Sequence, residues 1–259
     1  MKTFSYVLGI VTLFVIASCE KEGDLPDAGG TRLDQLIFAQ TGVQQQILTQ
    51  YNYDAENRLS EMVNSFVDSS NYTTRVNITY NGSGKLESFL YNNFKDGDQC
   101  TVTFDYNGEG QIVKKHINII DPDYHQDDAT FAYDAAGHMI ADTFYYNQSS
   151  DIRGYHTFAY DGNGNIIKMQ YYNDENHDLQ FELKSTQDIT YNDKTSPFLP
   201  MAMALNMIEN SPLYLSPNNP EYEDILNVYT YYSNGLVRRL VSGVPNKPDL
   251  LITQDFYYK

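Results

Sequence analysis

The sequence predicts an all-β fold, an antiparallel meander of hairpins forming a twisted, curled sheet. Three observations carry this reading. Aromatic usage is heavy and one-sided, with 23 Tyr and 13 Phe but no Trp and only 9 Pro, and such residues favour half-buried strands over helices. Apolar and polar positions alternate with period two, as in CTVTFDY from Cys100 to Tyr106, the pattern of a strand with one committed face. A unit of about 27 residues also recurs along the chain, and self-similarity at a fixed period constrains architecture more than any single element does.

The chain opens with Lys2 and an apolar run from Phe4 to Ile16 that is short for a membrane span. It ends in Ile16-Ala17-Ser18-Cys19, which resembles the lipobox of bacterial lipoproteins. The resemblance implies cleavage before Cys19 and lipid attachment at its thiol; a plain secretory signal with an incidental cysteine is the alternative. Residues 1–18 therefore read as a lipoprotein signal peptide, 19–31 as an acidic tether and 32–259 as a single β-repeat domain. Within the tether, Glu20-Lys21-Glu22-Gly23-Asp24 is similar to the export signal of surface lipoproteins of the Bacteroidetes, while Pro26, Gly29 and Gly30 give it the composition of a linker. Together these imply lipid anchorage in the bacterial outer membrane, with outward exposure as a further expectation.

The net charge is -17, and loss of Lys2 with the signal makes it more negative. Such a field repels phosphate backbones and anionic lipid surfaces, which excludes nucleic acid as a partner and leaves membrane attachment to the acyl chains. Cys100 is the one other cysteine, so acylation of Cys19 leaves no intramolecular disulfide. It alternates in phase with Val102, Phe104 and Tyr106, which makes it a structural thiol on the apolar face of a strand.

The repeats follow in order: YDAENRL at Tyr53, YNGSGKL at Tyr80, YNGEGQI at Tyr106, YDAAGHM at Tyr133 and YDGNGNI at Tyr160, with weaker copies YNDKTSP at Tyr191 and YYSNGLV at Tyr231. Two residues before each tyrosine stands an apolar or aromatic residue, and six after it an apolar one restarts the core face, as in Leu59, Leu86, Ile112, Met139, Ile166 and Val237. The Asp or Asn opens a type I turn by accepting backbone hydrogen bonds, and Gly84, Gly110, Gly137, Gly164 or Gly235 takes the left-handed position that returns the chain. Asn57 tolerates that position; Thr195 does not. Two strands and two reversals fill the repeat length, which is too short for a propeller blade and lacks the ladder of a leucine-rich repeat. About 14 strands result, and strongly twisted open sheets of that size rarely stay flat.

One segment departs from this pattern. Pro200 suits a first helical position, Met201, Ala204, Leu205 and Ile208 follow helical spacing, and Asn210 to Pro212 ends the run. A helix is expected near residues 199–210, with Met203 and Met207 extending its apolar surface so that more than one face is buried. Strands resume at Ile225.

The Tyr-Asp/Asn-x-x-Gly-x-Leu unit resembles the YD repeat of RHS-type proteins, whose strands wind into large spiralling sheets. YNDKTSPF at Tyr191 to Phe198 and PLYLSPNN at Pro212 to Asn219 extend the resemblance to a family of Bacteroidetes envelope lipoproteins with RHS/YD-like repeats. That resemblance implies an envelope lipoprotein of β-repeat architecture and carries no catalytic residue across.

The residues themselves supply no Gly-x-Ser-x-Gly elbow, His-Glu-x-x-His, phosphate loop or Cys-x-x-Cys, so no catalytic residue and no cofactor are assigned. Asp121, Asp123 and Asp127 form a loop cluster whose carboxylates suit a divalent cation, but a loop between strands is required there in any case. FAYDGNGNIIKMQYY at Phe158 to Tyr172 resembles a calcium loop only at its start: its sixth position is Ile166 and its twelfth Tyr172, where Gly and Glu are needed. His138, in a repeat turn, reads as a solvated residue. Tyr91, Tyr145, Tyr146, Tyr171 and Tyr172 fall near the ends of outgoing strands and are the candidate ligand-binding aromatics; pairing across strands is the structural alternative. The function expected is a non-enzymatic binding or scaffold module for a glycan or another envelope protein. The alternatives are a glycan-acting hydrolase and a lipid-handling carrier with an apolar cavity.

Overall fold

The computed structural model describes residues 30–43, 46–67, 72–93, 99–119, 128–145, 152–174, 180–222, 225–244, 247 and 250–259. Within them the first strands are β1 (Leu33–Gln40), β2 (Ile47–Tyr53), β3 (Leu59–Phe66), β4 (Tyr72–Tyr80), β5 (Leu86–Asn93) and β6 (Gln99–Tyr106). Next come β7 (Ile112–Ile119), β8 (Ala129–Tyr133), β9 (Met139–Tyr145), β10 (Ile152–Tyr160), β11 (Ile166–Asn173) and β12 (Glu182–Asp188). After β13 (Thr190–Thr195) the chain forms a 3-10 turn (Leu199–Met201), helix α1 (Ala202–Glu209) and a second 3-10 turn (Pro212–Leu215). It then returns to strands β14 (Asn218–Glu221), β15 (Leu226–Tyr231), β16 (Val237–Gly243) and β17 (Ile252–Tyr258).

The five regular turns have the expected chemistry. Asp54 Oδ1 accepts from the amides of Glu56 and Arg58, Asn81 Oδ1 from Ser83 and Lys85, and Asp161 Oδ1 from Asn163 and Asn165, all at 2.8–3.1 Å. Gly84, Gly110, Gly137 and Gly164 lie at φ 78 to 89, with Asn57 in the same place at φ 61. Each turn is followed by a bulge, as between Asp105 and Tyr106 opposite Ile112 and Lys114. The bulge shifts the alternation by one residue, so Lys115 rather than Lys114 faces inward beside Ile112 and Ile117.

The repeats are joined by their tyrosines. The hydroxyl of Tyr53 donates to the carbonyl of Leu33 at 2.6 Å, Tyr80 to Leu59 at 2.9 Å, Tyr106 to Leu86 at 2.7 Å, Tyr133 to Ile112 at 2.8 Å and Tyr160 to Met139 at 2.7 Å. Each acceptor is the residue that restarts the core face in the preceding repeat. Burial pushes the phenols of Tyr53, Tyr80 and Tyr133 up to about 12, so they act as neutral donors. In three turns the residue after the glycine, or after Asn57, covers the next ring: Arg58 lies 4.3 Å above the centroid of Tyr80, Lys85 5.1 Å above Tyr106, and His138 stacks 4.6 Å from Tyr160. His138 is therefore a packed residue and not a purely solvated one, because the next repeat brings an aromatic face over it.

Strand order in the main sheet is β12-β11-β10-β9-β8-β7-β6-β5-β4-β3-β2-β1-β17-β16-β15, with β13 and β14 forming a separate pair. The meander thus runs without interruption from β1 to β12, and the last three strands are added in front of β1. Arg32 and Lys259 exchange backbone hydrogen bonds, at 2.9 and 3.4 Å, so β17 and β1 make one repeat split between the two ends of the chain. Tyr258 donates to the carbonyl of Val237 at 2.9 Å as in any other repeat.

The sheet is twisted and open. No ladder joins its margins β12 and β15, so the curled sheet expected from the strand number is corrected here: the β13–β14 pair intervenes, with Asn192 Nδ2 donating to Tyr231 Oη at 3.2 Å. YNDKTSP, read as a weak repeat, makes no hairpin, since Thr195 cannot take the glycine position and the chain continues as β13. The segment 196–217 lies over the inner face. Met201, Leu205 and Met207 belong to one cluster with Tyr51, Leu59, Phe89, Ile112, Ile166 and Phe256. Ala202, Ala204, Leu205, Asn206 and Met207 are buried, so α1 is covered on more than one face, as expected, while Met203 is exposed.

Candidate functional site

An aromatic concavity lies where segment 196–222 meets β15, β16, β17 and β1. The segment is fixed at its base by Ser196, whose amide donates to the carbonyl of Pro217 at 2.8 Å and whose Oγ accepts from the amide of Phe198 at 3.3 Å. Pro200 at the start of the 3-10 turn and Asn210 at φ 53 bound the helix. This bracketing sends Phe198 and Tyr214 together from opposite ends of the segment, with ring centroids 5.2 Å apart and planes at 79°, and Phe198 also meets Phe256 of β17 at 5.9 Å.

The resulting pocket has a volume of about 340 Å³. Its aromatic wall is Phe38, Phe198, Tyr214, Tyr222, Tyr229 and Phe256, and its polar groups are Ser196, Ser211, Asn219, Asn227, Ser242 and Gln254. Among the described residues no lining side chain is a carboxylate, lysine, arginine or histidine, although the chain as a whole is strongly acidic. Burial, reinforced by the charge of Glu209, pushes Tyr214 up to about 12, and burial also raises Tyr222 and Tyr229. The tyrosines are therefore neutral at physiological pH. Tyr229 Oη donates to the carbonyl of Pro220 at 2.8 Å and Ser242 Oγ to Asn227 Oδ1 at 2.7 Å, which fixes these walls in place. A concave apolar site with a few convergent amides and hydroxyls suits a neutral ligand.

The chain shares its fold with a porin-like protein from Bacteroides uniformis ATCC 8492, at a TM-score of 0.53 and 13% identity over 90% of this chain and 99% of that one. A porin-like protein from Bacteroides vulgatus ATCC 8482 matches equally, at a TM-score of 0.53 and 13% identity over 88% of this chain and 99% of that one. The Photorhabdus luminescens Tc holotoxin pore also matches, at a TM-score of 0.33 and 11% identity over 79% of this chain and 12% of that one. No family model and no curated protein matches the chain.

The sequence-selected residues are dispersed. Cys19, Tyr146, Asp121, Asp123 and Asp127 lie outside the described residues; among the described residues no group of three or more His, Cys, Asp or Glu is placed to hold a metal. Tyr91 on β5 lines a small inner cavity. Tyr145 on β9 shares a hydrogen bond with Thr130 at 3.0 Å. On β11, Tyr171 packs 5.0 Å from His156 and Tyr172 stacks on Tyr155 with centroids 4.7 Å apart and planes at 11°. The pocket aromatics come instead from Phe198, Tyr214 and Tyr222, and the signal that marks them is the density of aromatic and proline residues between Tyr191 and Tyr222 outside the repeat register. Cys100 is half-buried, and burial raises its thiol, as suits a structural cysteine.

Proposed function

We propose that this protein is a lipid-anchored envelope module that binds a neutral glycan in the aromatic pocket and does not transform it. The observation that carries the reading is the uncharged, aromatic lining of that pocket. Ring faces such as those of Tyr214 and Tyr229 stack on the apolar face of a pyranose, while Asn227, Gln254 and Ser242 offer both donors and acceptors to its hydroxyls. The lipobox-like Ile16 to Cys19 and the Bacteroides origin of two porin-like structural neighbours support an outer-membrane location with Cys19 as the lipid-bearing residue. A glycan hydrolase needs a carboxylate pair about 5 to 10 Å apart, and none of the described lining residues is a carboxylate.

Titration of the full-length protein in detergent with a panel of neutral oligosaccharides, followed by tyrosine fluorescence, tests the reading. Saturable binding that Tyr222→Ala abolishes while the fold is retained supports it; failure of every oligosaccharide to bind folded protein removes it. The apolar wall of Phe38, Leu213, Leu240, Ile252 and Phe256 favours one second reading, an acyl chain as occupant, and mass spectrometry of organic extracts of the purified protein separates the two. Metabolic labelling with a radioactive fatty acid, present in the wild type and lost in Cys19→Ala, tests the anchor.

A further inference from the structure

A second cavity, distinct from the aromatic pocket, lies beneath the carboxyl end of α1. It encloses about 200 Å³ and is lined by Phe89, Tyr91, Cys100, Lys115, Met207 and Asn210 among others. Lys115 is 4% exposed, and a lysine is seldom so buried without an anionic partner. Its ammonium reaches only neutral oxygens, the carbonyl of Met207 at 3.5 Å and Oδ1 of Asn210, and among the described residues it forms no ion pair. Those contacts close the end of α1 favourably and leave one of its three donors for the cavity.

The surrounding charges are few. From the sheet, Asp142 on β9 and Asp128 just before β8 favour the ammonium, with Cys100 on β6 also contributing. Asp142 is itself occupied by His156, whose amide and Nδ1 lie 3.1 and 2.9 Å from its Oδ1. From α1, Glu209 lines the cavity, and desolvation raises its carboxyl.

We infer that this cavity binds a small carboxylate, with Lys115 as its charged anchor and Phe89 and Tyr91 packing its short apolar body. A cavity of this size admits a short-chain or single-ring acid. Burial lowers the amine of Lys115 to about 8, against the opposing effect of Asp142. The charged form therefore prevails at neutral pH and is lost as pH rises through about 8, while the ligand carboxylate stays ionised; affinity should fall with the ammonium.

Calorimetric titration of the full-length protein with butyrate and benzoate, beside butyramide and benzamide, tests the inference. The acids are expected to bind saturably at neutral pH, the amides about tenfold or more weakly, since a charge-assisted bond is replaced by a neutral one. Lys115→Met removes acid binding. Because that substitution alters a buried position, protection is measured in the wild type as well: the acids slow modification of Lys115 by an amine reagent, read by peptide mapping, and the amides do not. Absence of saturable binding to folded wild type, equal binding of acids and amides, or labelling of Lys115 unchanged by acid would each overturn the proposal.

Discussion

The hairpin β4–β5 and the seam β17–β1 are the same repeat built in two ways. In β4–β5 a four-residue turn closed by Asn81 and Gly84 joins the strands. At the seam the turn is missing, yet Lys259 and Arg32 exchange the corresponding backbone bonds, Arg32 lies 4.4 Å above the ring of Tyr53 as Arg58 lies above Tyr80, and Tyr53 donates to Leu33 as Tyr80 does to Leu59. The difference teaches that the backbone ladder and the core face hold this register without a turn. The turn chiefly removes the entropic cost of bringing the strands together. A seam without that help is where the sheet should open first.

The largest expected effect breaks the seam. Deleting residues 252–259 removes Phe256, which is 2% exposed, and unpairs β1 and β16 together; cooperative thermal unfolding, followed by circular dichroism, should be lost. Next is the turn. Gly84→Ala forces a side chain into φ 78, costing about 1–2 kcal/mol, although its Cβ meets only Arg58 Nη1 at 3.5 Å; a denaturant midpoint unchanged from wild type would deny the turn its role. The smallest effect compares single tyrosine bonds. Tyr106→Phe and Tyr258→Phe should each cost about 1 kcal/mol, and unequal costs in chemical denaturation would show that the repeat split at the seam depends more on its tyrosine than an unbroken repeat does.

The same tyrosines set the alkaline limit. Their folded-state values, about 12 for Tyr53, Tyr80 and Tyr133, lie above the unfolded value of about 10. Below about 10 both states are protonated and the contribution is intact. Between 10 and 12 the unfolded chain ionises first, and stability falls. Phenolate absorbance and circular dichroism should change together in that window; phenols that titrate near 10 with the fold intact would mean they are not buried donors.

Much of the fold was legible because the turn requirements are local. Asp or Asn at one position and Gly, or once Asn, three residues later, in five near-regular copies, fix hairpin, strand length and core face from chain neighbours alone, and the Pro200 to Asn210 interval similarly marks a helix. The candidate sites were less legible. Lys114 and Lys115 are adjacent, and only the bulge after the turn decides which is buried; simple alternation from Ile112 would choose the wrong one. Tyr214 and Phe198 stand 16 positions apart outside the repeat, and nothing local shows that they meet.

By itself, then, the sequence determined the hairpin unit, its repetition and its one helical interruption, since each depends on backbone torsions and periodicity within a few residues. Only the tertiary structure decided that the last strands join the first, that β13–β14 stands between the open margins, that segment 196–222 walls an uncharged aromatic pocket, and that the helix covers a buried lysine. Those outcomes depend on pairing between segments far apart in the chain, where burial and hydrogen-bond satisfaction are properties of the whole sheet.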